Sequence, residues 1–291
     1  MTTDNIQFSD LLNNAITQPG VLSSAYTAFY NYSIGNQIAA AIQCISRGIE
    51  ISPIASYKAW QDKGRQVKKG EKAIALCMPI TCKGEKPNRE TGENEEFSFS
   101  RFVWKNNWFA LSQTEGDDYA NEITPPNWDK SKALETLGIT EGSFNHHNGN
   151  CQGYASGTSI AINPIAQYPH KTRFHEIAHI VLGHTAEHTM SDDNEKTPRD
   201  IKEVEAESVA YILCSILNLP GLTESCGYIQ HWLNHQQIPE KSAQKIFSAA
   251  DKILKAGQQQ IALHTDRLPV LYSHSRRSRQ PRLGYRGWRR K

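Results

Sequence analysis

The chain has 291 residues, with 32 Lys+Arg against 30 Asp+Glu and 38% apolar residues; this excludes a wholly disordered chain and fits about two domains at roughly 100–200 residues each. Its +2 net charge does not exclude nucleic acid, because eight basic residues fall in Arg276–Lys291 and the remainder sums to −6. Apolar runs far short of a membrane span, no secretory-signal pattern in MTTDNIQFSD and six cysteines without a CxxC pair read as a soluble, cytoplasmic protein with reduced thiols and no membrane partner.

Residues 8–18 and 36–47 carry apolar residues at helical spacing, the second closed by Gly48. Ser56–Lys63 reads as a short helix, followed by a basic turn and the strand-like AIALCMPI. Residues 84–96 are polar and Gly/Pro-bearing, hence a loop. FSFSRFVW and WFALSQT flank Asn106, which suits a hairpin. The aperiodic stretch 115–128, with adjacent prolines, is the expected linker. Asn127 is placed to cap a helix ending at Leu137–Gly138. A second hairpin is expected within 144–163, with TSIAIN (158–163) as an edge strand able to bind an extended peptide. Residues 169–257 read as mostly helical, and the Arg-rich end as poorly ordered.

The most informative stretch is His175-Glu176-Ile177-Ala178-His179. On a helix, residues i and i+4 share a face, so both imidazoles can grip one metal ion, while Glu176 can take a proton from water held there. An accidental HExxH in this composition has a probability of roughly 3%, so a third ligand is needed to decide the reading. His184 falls one residue short of the HExxHxxGxxH spacing. Glu203 and Glu207, four apart in EVEAE, share a helix face: one serves as ligand and the other orients a histidine. Glu203 has a competing use in a capping box with Asp200, and Glu205 reads as solvated surface. No oxyanion donor stands out among Tyr154, His170 and His184. Zinc suits two histidines and a carboxylate, and Mn²⁺ can occupy the same ligands.

Segment 58–72 has six basic and two acidic residues. Arg65, Lys68, Lys69 and Lys72 surround a turn at Gly70, and aromatics follow at Phe97, Phe99, Phe102, Trp104, Trp108 and Phe109. Cations track phosphate and rings stack on bases, so this combination suits single-stranded nucleic acid. Strand alternation puts Phe97, Phe99 and Arg101 on one face and Phe102 and Trp104 on the other, one set being core. A hairpin tip at Trp104-Lys105-Asn106-Asn107-Trp108 adds Trp104, Lys105 and Trp108 as exposed contacts.

SYKAWQDKGRQVKKGEKAIAL resembles the W-x-x-x-G-R-x-V-x-K-G-E-K signature of the ArdC antirestriction family, and FHEIAHIVLGHT followed by KEVEAESVAYILC resembles the zincin-like metallopeptidase domain of the same family. The resemblance spans roughly residues 5–257 and implies an α+β protein of two domains. Residues 1–120 would bind single-stranded DNA, with double-stranded DNA weaker, and residues 121–275 would form the zincin-like domain, followed by a basic tail at 276–291. It implies His175 and His179 as metal ligands, Glu176 as base, Glu203 rather than Glu207 as third ligand, and DNA contact around Trp60, Arg65, Lys68, Lys69 and Lys72. It further implies protection of incoming conjugative DNA from restriction, with a peptidase-like centre that takes a protein substrate. Whether proteolysis is itself the main function stays open at this level. A nuclease is disfavoured, since no Asp/Glu cluster for paired cations is visible.

Overall fold

The computed structural model describes residues 6–18, 20–87, 94–119, 125–146, 150–185, 198–233 and 237–258. The tail at 276–291 and part of the expected loop and linker lie outside them. Three helices open the chain: α1 (Phe8–Thr17), α2 (Val21–Phe29) and α3 (Ile34–Arg47), the last ended by Gly48 in the left-handed conformation. Helix α2 has no counterpart in the sequence reading. Its VLSSAYTAF is small and mixed, and burial of Val21, Leu22, Ala25, Tyr26 and Phe29 holds it helical.

Strand β1 (Ile54–Ser56) runs into the short helix α4 (Tyr57–Gln61), whose N-terminus is capped by the Ser56 side chain. Strand β2 (Arg65–Val67) pairs with β5 (Thr114–Gly116). Between them lie two long antiparallel strands, β3 (Ile74–Pro87) and β4 (Asn94–Ala110), in a sheet of order β1-β4-β3. The expected hairpin at Asn106 is therefore corrected. β4 runs straight through it, and the register shift between Ile74 and Ala75 leaves Asn107 as an extra residue in β4. The expected loop 84–96 likewise holds strand ends at 84–87 and 94–96. Cross-strand pairing supplies hydrogen bonds to a polar segment whose composition alone reads as loop.

The base of this ribbon packs Ile54, Ile74, Leu76, Trp108 and Ala110 against Ala25, Phe29, Ala40 and Cys44 of α2 and α3. Helix α3 also covers the outer edge of β3. The Gln43 amide exchanges hydrogen bonds with Ala75 N and O at 2.9 and 2.8 Å, and Asn36 does the same with Cys77 at 2.7 and 2.9 Å. Two side chains seven residues apart thus stand in for a neighbouring strand.

Helix α5 (Lys130–Leu137) is capped by Asp129, whose carboxylate accepts from Lys132 N at 2.7 Å, not by Asn127. Strands β6 (Thr140–Gly142), β7 (Gly153–Ser156) and β8 (Ser159–Ile162) form a sheet of order β6-β8-β7. The expected edge strand is thereby corrected, since β8 is central and β6 and β7 are the edges. Four helices follow: α6 (Pro169–Val181), α7 (Arg199–Ile216), α8 (Leu222–Leu233) and α9 (Glu240–Gly257).

The stretch 115–128 does not divide the hydrophobic core. Leu11, Leu12, Ile16, Leu22, Ile34 and Ile38 share one cluster with Phe174, Ile177, Val209, Ile212, Ile246 and Ile253, and the described residues pack as one compact unit. Helix α9 satisfies the open N-termini of two early helices. The Glu240 carboxylate accepts from Phe8 N and Ser9 N at 3.0 and 2.9 Å, and Asp251 accepts from Ile34 N at 3.2 Å. Among the described residues no helix is long and apolar enough to cross a membrane.

Candidate metal centre

Helix α6 begins at Pro169, whose ring suits the first helical position, and buries Phe174, Ile177 and Ala178. Arg173 fixes it to β6 through two hydrogen bonds to Glu141, at 2.8 and 2.9 Å. That burial turns His175, Glu176 and His179 toward a cleft of about 930 Å³, which Glu203 and Glu207 of α7 also line.

Helix α7 starts at Arg199, four residues before Glu203, with Pro198 as its N-cap. Asp200 therefore lies inside the helix and makes no capping box, which leaves Glu203 available. The nearest ligand atoms of His175, His179 and Glu203 all lie within 4.8 Å of one another. The two Nε2 atoms are 3.1 Å apart, and Glu203 Oε2 stands 3.4 Å from His175 Nε2 and 3.7 Å from His179 Nε2. Ligands at about 2.0–2.2 Å from a tetrahedral ion are separated by about 3.3–3.6 Å, so this triangle has the size a divalent cation needs. Two imidazole nitrogens facing at 3.1 Å also require a proton or a cation between them.

Each histidine has its own support. His175 Nδ1 lies 3.0 Å from Glu207 Oε2, and Lys171 Nζ holds the other Glu207 oxygen at 2.7 Å. His179 Nδ1 lies 2.9 Å from His184 Nδ1, and His184 Nε2 lies 2.9 Å from Glu205 Oε2. Glu205, read from sequence as solvated surface, is 0% exposed. The signal for it was present in the unusual acid run EVEAE, but which of its faces meets protein depends on packing.

Burial pulls the His175 pKa down, yet the Glu203 and Glu207 carboxylates outweigh it and hold the group up at about 9. Burial pushes the Glu176 carboxyl above its usual range, against the nearby histidines. Glu207 is pushed up by burial but brought down to about 2 by His175 and Lys171. Glu203 lies far below the usual range because both histidines face it. A buried carboxyl beside a nitrogen–oxygen triangle matches the donor chemistry of hydrolytic metal sites.

The cleft's other wall includes β7. Its pairing with β8, together with the Asn163 N–Gln152 O bond of 2.8 Å, fixes the ladder so that Gly153 and Ala155 point their N–H and C=O groups away from β8. Both residues line the cleft, as does Tyr154. A Cβ on Gly153 would meet Thr172 Cγ2 at 2.7 Å and Glu176 Cγ at 3.3 Å, so only glycine lets this edge pass so close. His184 is bound to Glu205, and His170 is exposed and not among the cleft residues.

The expected DNA contacts separate. Trp60 is 1% exposed and donates its indole N–H to Phe109 O at 2.8 Å, and Trp108 is 9% exposed within the ribbon's core. Neither offers a face for base stacking, because the core needed their area more than the surface did. Trp104 is half-buried, its ring 5.5 Å from that of Phe8. Arg65 donates to Thr114 Oγ1, Thr114 O and Asp117 O, which staples β2 to β5. Lys68 Nζ donates to Ser112 O at 2.9 Å, while Lys69, Lys72 and Lys105 are exposed. Among the described residues the exposed Tyr and Phe rings are Tyr57, Phe97, Phe99 and Phe102, so the expectation that one strand face over 97–104 is core is corrected: Phe97, Phe99 and Arg101 on one face and Phe102 on the other all reach solvent.

Residues 14–106 match the profile of the N-terminal domain of anti-restriction factor ArdC. The fold is similar to the metal-free crystal structure of antirestriction ArdC protein from the R388 plasmid, at 21% identity and a TM-score of 0.50, over 86% of this chain and 93% of that one. A second crystal structure of the R388 protein, with Mn(II) bound, aligns at 19% identity and a TM-score of 0.49, over 87% of this chain and 98% of that one. No curated protein matches the sequence. At this identity the structural likeness carries the mixed helix-and-sheet fold.

Proposed function

We propose, from the match of residues 14–106 to the N-terminal domain of anti-restriction factor ArdC, an antirestriction protein that binds single-stranded DNA and bears a peptidase-like centre for one divalent cation. It protects incoming conjugative DNA in the cytoplasm. The observation that carries the metal reading is the convergence of His175, His179 and Glu203 on one point beside buried Glu176. Zn²⁺ and Mn²⁺ both suit these donors. When bound, such an ion supplies Lewis acidity and makes water a stronger acid. Glu176 takes the proton of the attacking water on its carboxylate and returns it to the leaving amine. Gly153 and Ala155 receive an extended protein segment as an added strand, which holds its backbone along the cleft.

For DNA, the exposed cations Lys69, Lys72 and Lys105 track phosphate, and the exposed rings of Tyr57, Phe97, Phe99 and Phe102 are the available stacking faces. Double-stranded DNA binds more weakly because its bases are not free to stack. The two-part division at 1–120 and 121–275 is one of chemistry, superimposed on a shared core.

A Glu176→Gln variant tests the role of hydrolysis, with metal content, peptide hydrolysis and protection from restriction measured in parallel. Metal retained with both hydrolysis and protection lost supports proteolysis as the working step. Protection that survives without hydrolysis assigns antirestriction to DNA binding, with the metal centre serving the fold.

A further inference from the structure

Ligation through Nε2 requires that each histidine carry its proton on Nδ1. For His175 this follows directly, because Glu207 Oε2 at 3.0 Å can only accept. His179 has no carboxylate in that position. Its Nδ1 faces another imidazole nitrogen, His184 Nδ1 at 2.9 Å, and a pair of imidazole nitrogens can share only one proton.

The far side of His184 resolves the ambiguity. Its Nε2 lies 2.9 Å from Glu205 Oε2, and that carboxylate is wholly buried. With the His184 proton donated to Glu205, His184 Nδ1 is a bare acceptor. His179 must then donate from Nδ1, and its Nε2 lone pair faces His175 and Glu203. The opposite order, with His184 donating to His179, would leave a hydrogen on His179 Nε2 inside the ligand triangle.

Backbone geometry brings His184 into place. Five residues beyond His179, a continuing helix would carry it about 140° around the axis, away from His179. Instead Gly183 adopts φ +77, a conformation that favours glycine, and His184 N donates back to His179 O at 2.8 Å. The side chain is thereby folded under the ring it supports.

We propose that His184 and Glu205 form an imidazole–carboxylate relay that positions His179 and fixes its proton on Nδ1, leaving Nε2 open to the divalent cation as Glu207 does for His175. His184 is thus a positioning residue rather than a ligand. Helix α7 supplies the third ligand and both anchoring carboxylates from one run, Glu203, Glu205 and Glu207. The inference rests on the metal reading above and goes beyond it in assigning a role to two residues outside the ligand set.

The test uses the full chain and two substitutions at one position. His184→Phe keeps a ring and removes both polar contacts, whereas the amide of His184→Gln can accept from His179 and donate to Glu205. Zn(II) and Mn(II) affinities are measured by calorimetry, and the proton position on His179 by ¹⁵N-detected imidazole spectra of chelator-treated wild type. The expected result is a loss of affinity of about 10- to 100-fold in His184→Phe, substantial recovery in His184→Gln, and an Nδ1–H form of His179. Equal affinity in wild type and His184→Phe, no recovery in His184→Gln, or an Nε2–H form of His179 would overturn the relay. A wild-type chain that binds neither ion would overturn the metal reading instead, and the spectra of His179 would still judge the relay separately.

Discussion

The candidate metal centre and the basic region of β2–β4 are both rich in charge, yet they are built on opposite plans. At the centre, seven side chains from α6, α7 and the turn at Gly183 hold one another within about 3–4 Å; Glu205 and Glu207 are buried and the other five are half-buried. In the basic region, Arg65 and Lys68 are tied to local backbone, and Lys69, Lys72 and Lys105 reach solvent singly. A small divalent cation demands a few atoms at fixed separations, whereas a flexible polyanion demands spread charge and tolerates imprecision. Mutations should therefore act steeply and cooperatively in the first region and in small additive steps in the second.

The sharpest way to break this contrast is within the ligand triangle. His179→Ala or Glu203→Ala should weaken Zn(II) or Mn(II) binding on the order of a thousandfold, since three ligands are the minimum for a selective site. Calorimetry on the purified chain checks this, and near-native affinity would remove Glu203 from the ligand set. The aromatic assignments come next. Trp60→Ala should destabilise the fold by about 3–5 kcal/mol through an unfilled core site. If denaturant melts are unchanged while single-stranded DNA binding falls, Trp60 lies on the DNA surface after all.

A pH series sharpens the comparison further. His175 is held near 9 in the metal-free protein, above the ordinary value of 6.5, so a cation must displace its proton at neutral pH. Affinity should fall about tenfold for each pH unit below about 9 and level off above it. Calorimetry in buffers of different ionisation enthalpy should show close to one proton released from His175. Without metal, the same raised value stabilises the fold fully below about 6.5 and is lost as pH rises through about 9. Glu207, lowered to about 2, contributes above its ordinary range near 4.5 and is lost as pH falls toward 2. The smallest effects belong to the basic turn. Each of Lys69→Ala and Lys72→Ala should flatten the salt dependence of single-strand binding by about 0.7 for every phosphate charge the lysine had neutralised. A binding isotherm insensitive to both would move the DNA surface away from this turn.

The sequence alone exposed features whose spacing is enforced by one helix or one short motif. HExxH aligns two imidazoles because i and i+4 always share a face, and Glu203 and Glu207 align for the same reason. Gly48, Gly138 and Gly183 end helices where their conformational freedom predicts. Tertiary structure decided everything that depends on which face meets another element. It placed Trp60 and Trp108 in the core, carried β4 through Asn106, set β7 rather than β8 at the sheet edge, and turned Glu205 inward to His184. It also joined the early helices to α9 through Glu240 and Asp251, more than two hundred residues downstream. Local periodicity fixes the angle between neighbours along the chain, but burial is a property of pairs of surfaces, and no single segment contains its partner.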